Sequence, residues 1–317
     1  MDQNDLTIID AAEVRRRLDY PSCIDAMREA MRALSAGTTR QLLRTMIPLG
    51  EARTFAQMPG ALGTHDMFGA KLVSVFGDLA APGRRRHRGV IVLFEPDQGK
   101  PVAIVDAEEV THIRTAAATA MATDALARED ASTLLIVGTG GQARTHLEAL
   151  PQVRPFRRIL IWGRDPAKAA ALASDYSCIE AQAVEDLPEA VAEADVVCTL
   201  TAASQPVLRG EWVRPGTHVN LVGSSGPGPV ECDHEMVVRA RYIADSRASA
   251  LDAAAEFLDA RAAGLLGDDH IVGEIGEVLL GTVAGRTSAD DVTLYKSLGH
   301  AVQDLAAAAH LYRSLKT

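Results

Sequence analysis

The stretch Leu134-Leu135-Ile136-Val137-Gly138-Thr139-Gly140-Gly141-Gln142-Ala143-Arg144-Thr145-His146-Leu147 constrains this chain most. Its apolar run predicts a buried strand, the glycines a tight turn, and Gln142 to Leu150 a helix. Gly138 and Gly140 can take backbone angles closed to other residues and bare their amides to a pyrophosphate, while Ala143 lets helix and strand pack closely. The pattern alone also suits an ordinary turn between a core strand and a helix. The residues that follow supply the missing context. Ile159 to Trp162 predicts a second strand, Asp165-Pro166 opens another helix, and Asp195 to Leu200, Thr217 to Val222 and Tyr242 to Ala244 read as further strands separated by helical or loop segments. The expected fold class is α/β, a Rossmann-type doubly wound parallel sheet over residues 119 to about 290, with ligands outside the carboxyl ends of its strands.

A chain of 317 residues with 47% hydrophobic and 23% charged residues is globular and long enough for two domains. Its 32 Lys and Arg against 42 Asp and Glu leave a net charge of −10, which argues against nucleic acid or anionic membrane as partner and for a small ligand. Cys23, Cys178, Cys198 and Cys232 are scattered without a CxxC pair, so neither a disulfide framework nor a metal site is expected. With a polar start and no apolar run near the roughly 20 residues of a membrane span, the expectation is a soluble, cytoplasmic protein.

Before the glycine motif the pattern differs. Asp10 with Glu13, and Ser22 with Asp25, have capping-box spacing and predict two helices, the second with Ile24, Met27, Met31 and Leu34 on one face and Gly37 at its end. Leu42 to Pro48, Thr54 to Met58, Phe68 to Phe76, Val90 to Phe94 and Val102 to Val105 then predict a separate, largely antiparallel sheet, an α+β second domain, with a hairpin turn at Pro96 to Gly99. Alternation puts Lys71 on one face with Val73 and Val75, so either that face lines a cavity or the lysine snorkels at an edge. Gly83 to Gly89 is a basic loop; Arg84 and Arg85 suit a solvated surface, whereas His87 adjoins a strand. Glu108 to Arg128, rich in alanine, predicts a long, tightly packed helix with Arg114 and Thr115 near its start. Those two can face a crevice between domains, or Arg114 can pair with Glu108 or Glu109.

The tip of the second strand bears on the cofactor. Sites for the unphosphorylated nucleotide usually carry Asp or Glu there, whereas a 2′-phosphate needs a cation. This chain has Gly163-Arg164, with Asp165 one step on, where it can serve as an N-cap; NADP(H) is therefore favoured over NAD(H).

Taken together, Arg44-Thr45-Met46-Ile47-Pro48, Gly69-Ala70-Lys71-Leu72-Val73, Arg114-Thr115-Ala116-Ala117, Gly138 to Ala143, Val222-Gly223-Ser224-Ser225 and Tyr295-Lys296-Ser297-Leu298-Gly299 make the chain resemble the ornithine cyclodeaminase/μ-crystallin family over nearly its full length. The resemblance implies a substrate-binding and dimerisation domain, residues 1–118 completed by a C-terminal helix at 299–317, a nucleotide-binding Rossmann domain at 119–298, and a homodimer. It implies that Arg44, Lys71 and Arg114 surround a substrate carboxylate, which guanidinium groups bind through paired hydrogen bonds. It further implies that Thr115, Gly138, Gly140, Gly141, Gln142, Ala143, Arg164, Thr201 and Val222 line the cofactor, with His87 near the nicotinamide end. Cyclodeaminases and the related alanine dehydrogenases look like Gly-x-Asp-x-Pro-Gly-Lys after Val222, but this chain has Ser225 for the acid and Pro229 for the lysine. Serine there is similar to ketimine and pyrroline-2-carboxylate reductases.

The expected activity is therefore NADPH-dependent reduction of a cyclic or open-chain imino acid, with Lys71 and Ser225 as catalytic groups and the Lys71 pKa depressed by a cluster of like charges in a partly dry cleft. Ornithine cyclodeamination or alanine-type dehydrogenation is the second enzymatic expectation. A non-catalytic, NADPH-dependent small-ligand binder of the crystallin kind is the third.

Overall fold

The computed structural model describes residues 6–76, 87–226 and 228–316. The chain divides into two compact units, Met1–Ala118 with His300–Thr317, and Thr119–Gly299.

In the first unit, β1 (Thr7–Ile9), β2 (Arg40–Gln41), β3 (Thr45–Gly50), β4 (Arg53–Ala61), β5 (Phe68–Phe76), β6 (His87–Phe94) and β7 (Pro101–Asp106) form one sheet in the order β1-β7-β6-β5-β4-β2, with β3 also on β4. Every pair is antiparallel except β1 on β7. The helix Ala301–Ser314 packs against β4, β5 and β6 and against the helix Tyr20–Ser35, so residues at the two ends of the sequence close one core. Asp10 caps the first helix, Ala11–Arg17, by accepting from the Glu13 amide. The second helix starts earlier than its spacing predicts: Asp19, not Ser22, is the cap, and its carboxylate takes both the amide and the hydroxyl of Ser22. A carboxylate at the N-terminus of a helix also answers the positive end of the helix dipole, and the rigid φ of Pro21 suits the first turn. Gly37, at φ +71°, ends that helix, with the Thr38 amide reaching back to the Ala33 carbonyl. The strand expected from Leu42 lies three residues further on, at Thr45–Gly50: the antiparallel strand pairing with β4 begins at β2, breaks off over Leu42 to Arg44 and resumes at Thr45.

The second unit holds β8 (Thr133–Val137), β9 (Arg158–Trp162), β10 (Ala181–Ala183), β11 (Val196–Thr199), β12 (His218–Leu221), β13 (Arg241–Ala244), β14 (Ile271–Glu274) and β15 (Thr293–Lys296), in the order β10-β9-β8-β11-β12-β15-β13-β14. All pairs are parallel, the doubly wound sheet expected of the glycine motif. The sheet reaches past residue 290: β15, the last strand in sequence, inserts between β12 and β13. Leu135, Val137, Leu160, Val197, Val219, Leu221 and Leu294 are almost wholly buried on one core, each contributing about 1.5–3 kcal/mol relative to exposure.

A polar row lines the opposite face of the same sheet, at the alternate strand positions. His218 on β12 hydrogen-bonds Thr293 on β15 and Asn220, and the Asn220 amide donates to Thr123 and to the Cys198 sulfur on β11. Such a row satisfies its members only in one register and so specifies the strand order. Burial drops the His218 pKa to about 3, leaving the ring neutral. Among the described residues, no helix is long and apolar enough to cross a membrane.

Candidate active site

The residues singled out from the sequence fall into two groups, one in each unit. In the first unit, Lys71 lies mid-strand on β5, opposite Met58 on β4 and Ile91 on β6, and is 6% exposed. Its ammonium donates to Thr111 Oγ1 at 2.7 Å and to Asp304 Oδ1 at 3.1 Å. The snorkelling alternative is thereby excluded. Thr111, Arg114 and Thr115 lie on the helix Ala107–Leu126 at the three- and four-residue steps that share a face. Arg114 donates from Nε to the same Asp304 oxygen at 2.8 Å and from Nη1 to Gln303 Oε1 at 3.1 Å. Glu109, one of the partners expected for Arg114, instead receives two hydrogen bonds from Arg15. Arg44, just before β3, is exposed and near enough to lower the Lys71 pKa.

The Lys71 pKa is depressed, as expected, but more by burial than by the neighbouring cations. Burial is the largest cause, Asp304 opposes it, and Arg114 and Arg44 add smaller depressions; the result is about 8. The Asp304 carboxyl loses stability through burial, but Arg114 and Lys71 outweigh this and hold it below the usual carboxylate range. Its other oxygen, Oδ2, is buried with no hydrogen-bond partner among the described residues. Asp304 is held in place by its own helix: His300 and Gln303 form a capping box at the helix start, and Gln41 on β2 bonds the His300 ring and the Val302 amide.

In the second unit, β9, β8, β11 and β12 are adjacent and parallel, so Arg164, the glycine turn, Thr201 and Val222 to Ser225 follow the carboxyl ends of four neighbouring strands. Gly138 has φ +134°, and a Cβ there would sit 2.8 Å from the Leu200 carbonyl oxygen. Gly140 departs from expectation: its φ is −83°, open to any residue. It caps the helix Gly141–Ala149 without a side-chain bond, and a Cβ on it would meet nothing within 4 Å. Glycine at 140 thus keeps the approach to the helix amides clear, and Gly141 beside it is exposed, an arrangement that fits a dinucleotide pyrophosphate. Ala143 is fully buried against the strand. Gln142 carries its helix into the core through His146, whose ring bonds the Gln142 carbonyl and Thr119. Arg164 is exposed, and Asp165 caps the next helix by accepting from the Ala167 amide. Ser225 is exposed. Thr115 and Val222 are nearly buried. The His87 side chain and the basic residues Arg84 and Arg85 lie outside the described residues.

Sequence reasoning passed over Glu231. One of its oxygens accepts from the Thr201 amide and hydroxyl, the other from Thr199 Oγ1 and the amides of Gly223 and Ser224. It ties the end of β11 to the end of β12. Burial raises its pKa against the pull of these donors and of Lys296. Beneath it Lys296, wholly buried, donates to Glu256 at 2.8 Å and to the Ser224 carbonyl at 2.7 Å, while Glu256 accepts from the Glu231 amide. An isolated acid between Val230 and Cys232, directly after the serine loop, was the signal available for Glu231.

A parallel sheet with a bare glycine turn at the carboxyl ends of its strands defines a dinucleotide-binding α/β protein, here joined to a sheet that carries a buried lysine–carboxylate–arginine cluster. The chain belongs to the ornithine cyclodeaminase/mu-crystallin family, whose model it matches over residues 4–317. It is 36% identical to the mouse (Mus musculus) ketimine reductase mu-crystallin over 88% of this chain and 86% of that protein. It is 37% identical to the Delta(1)-pyrroline-2-carboxylate reductase of Paracoccus denitrificans over 78% and 79% of the two chains. The solved structure of the Thermococcus litoralis Delta(1)-pyrroline-2-carboxylate reductase in complex with NADH and L-proline superposes with a TM-score of 0.93 at 30% identity, covering 98% of each chain.

Proposed function

We propose that the protein is a reductase of imino acids, cyclic or open-chain, that uses NADPH. The observation that carries this is the gathering of Lys71 and Arg114 on a single buried carboxylate, Asp304, with Arg44 near Lys71, which leaves a net positive cluster in the first unit. Such a cluster suits a substrate carboxylate: Arg114 and Arg44 offer forked donors, and Lys71 a point charge. A bound reduced nicotinamide dinucleotide supplies the hydride. The chain's own work is to hold the carboxylate, to orient the C=N carbon, and to deliver one proton to nitrogen as the carbon takes up hydride. With a pKa near 8, the Lys71 ammonium is charged at neutral pH yet gives up its proton more readily than an ordinary lysine. Ser225 offers a neutral hydrogen bond to the substrate nitrogen or a water.

Two observations support preference for the phosphorylated nucleotide: Arg164, two residues beyond β9, is exposed, and the Asp165 carboxylate beside it is engaged as a helix cap. The test is oxidation of NADPH and NADH over pyrroline-2-carboxylate, piperideine-2-carboxylate and 2-oxo acids supplied with ammonia or small amines. Turnover of at least one imino acid is expected, with at least about tenfold preference for NADPH that Arg164→Ala abolishes. Ornithine with oxidised cofactor should give no proline, because Ser225 lacks the charge that would accept protons and steady a cationic iminium. Proline and ammonia from ornithine at a comparable rate would favour a cyclodeaminase, and binding without any turnover a carrier.

We further propose a homodimer built on β3. This strand pairs with β4 alone among the described residues and is exposed throughout, and Leu42, Leu43, Met46, Ile47 and Leu49 are between 47% and 70% exposed. An apolar, unpaired edge invites a second chain, and an identical copy satisfies both edges at once. Sedimentation should report a dimer that Ile47→Asp dissociates; a monomeric parent protein would sink this reading.

A further inference from the structure

We infer that Asp304 is a positioning residue for the reaction: its buried carboxylate keeps Lys71 charged and fixes where the ammonium points, so that a cation and not a neutral amine meets the substrate. This inference rests on the imino-acid reductase reading above.

The environment of Lys71 would otherwise discharge it. Its cross-strand neighbours on β4 and β6, Met58 and Ile91, are apolar, and both are buried. The helix Ala107–Leu126 brings Thr111, which carries no charge, and Arg114, a second cation. Arg44, from the segment before β3, is a third. A lysine sealed among apolar groups and two arginines loses its proton well below neutrality. Among the described residues that act most strongly on Lys71, Asp304 favours the protonated form, while Arg114 and Arg44 oppose it. One oxygen serves both cations, at 3.1 Å from Lys71 and 2.8 Å from Arg114, so the same atom sets the direction of both side chains.

The arrangement is a poor device for stability. Asp304 is fully buried, its second oxygen has no hydrogen-bond partner among the described residues, and it faces more positive charge than it neutralises. Buried ion pairs of this kind repay their desolvation only when every lone pair is used. A charge kept at that cost, beside a lysine with few other reasons to stay ionised, points to function.

The test is a pH titration of the full-length protein labelled with 13C at lysine Cε and followed by NMR, the Lys71 signal being the one lost in Lys71→Arg. It needs no substrate. In the parent protein Lys71 should titrate near 8; a midpoint below about 6, the range of lysines buried without a counter-ion, would overturn the inference even if no variant folded. In Asp304→Asn, which keeps the side-chain shape, the midpoint should fall by at least about one unit, and the high-pH limb of kcat/KM should move down with it, at least about a tenfold loss on that limb. A Lys71 midpoint unchanged in Asp304→Asn would also overturn it. If the titrations behave as expected and no imino acid is reduced, the functional reading fails and the electrostatic one stands.

Discussion

Lys71→Met loses turnover by a factor of about 10² or more while the nucleotide still binds, the scale of losing a positioned proton donor. Methionine fills the same volume between Met58 and Ile91, so the strand keeps its packing and only the charge and the donors go. Steady-state kinetics, with nucleotide affinity read from the fluorescence of bound NADPH, separates the two effects. The parent enzyme should also lose activity as pH rises through about 8, because Lys71 is charged below its pKa and neutral above it. That limb should vanish from whatever activity the variant keeps. Near-parental turnover in Lys71→Met would strip the lysine of its role and leave it a structural cation for Asp304.

The second large effect concerns stability. Lys296 and Glu256 form a wholly buried pair 2.8 Å apart. Lys296→Met leaves the Glu256 carboxylate without its cation in a site closed to water, which costs about 3–5 kcal/mol. For a unit of this size the thermal midpoint should fall by roughly 10 °C. The double variant Lys296→Met/Glu256→Leu removes the stranded charge and should recover a large part of the loss; a double variant no more stable than the single one would show that the ammonium's bond to the Ser224 carbonyl, and not the pair, carries the stabilisation.

The parts of this fold legible from sequence are those whose cause is local. β5 could be bounded at Phe68 and Phe76 because alternation and its flanking turns mark it, and the Rossmann sheet declared itself through the glycine turn and the apolar runs after it. β15 escaped because a fully buried lysine sits at its end, and no local rule says that a glutamate forty residues earlier will receive it. β10 has three residues, too few to show a period, and in β14 only two apolar residues precede a glycine and a glutamate. The cap of the second helix was misplaced because Asp19 and Ser22 are both good caps and only the backbone decides between them. Asp304 is the instructive omission. It shares the helical stripe of Ala301, Leu305 and Ala308, so a charge on an apolar face was visible, the same argument that singled out Lys71. Its partner lies 233 residues away, and that distance is what sequence could not bridge.

The placement of Asp304 also has a consequence in time. The first unit is interrupted by the whole of the second, since Met1–Ala118 is completed by His300–Thr317 only after Thr119–Gly299 has been made. A nascent chain can present β5 and its lysine to the solvent of the ribosome exit long before residue 304 exists. During that interval Lys71 has neither the burial nor the counter-charge that tune it. Its special acidity therefore arrives late, as a by-product of finished synthesis, and a chain cut short after the nucleotide-binding unit would carry an ordinary lysine in its place.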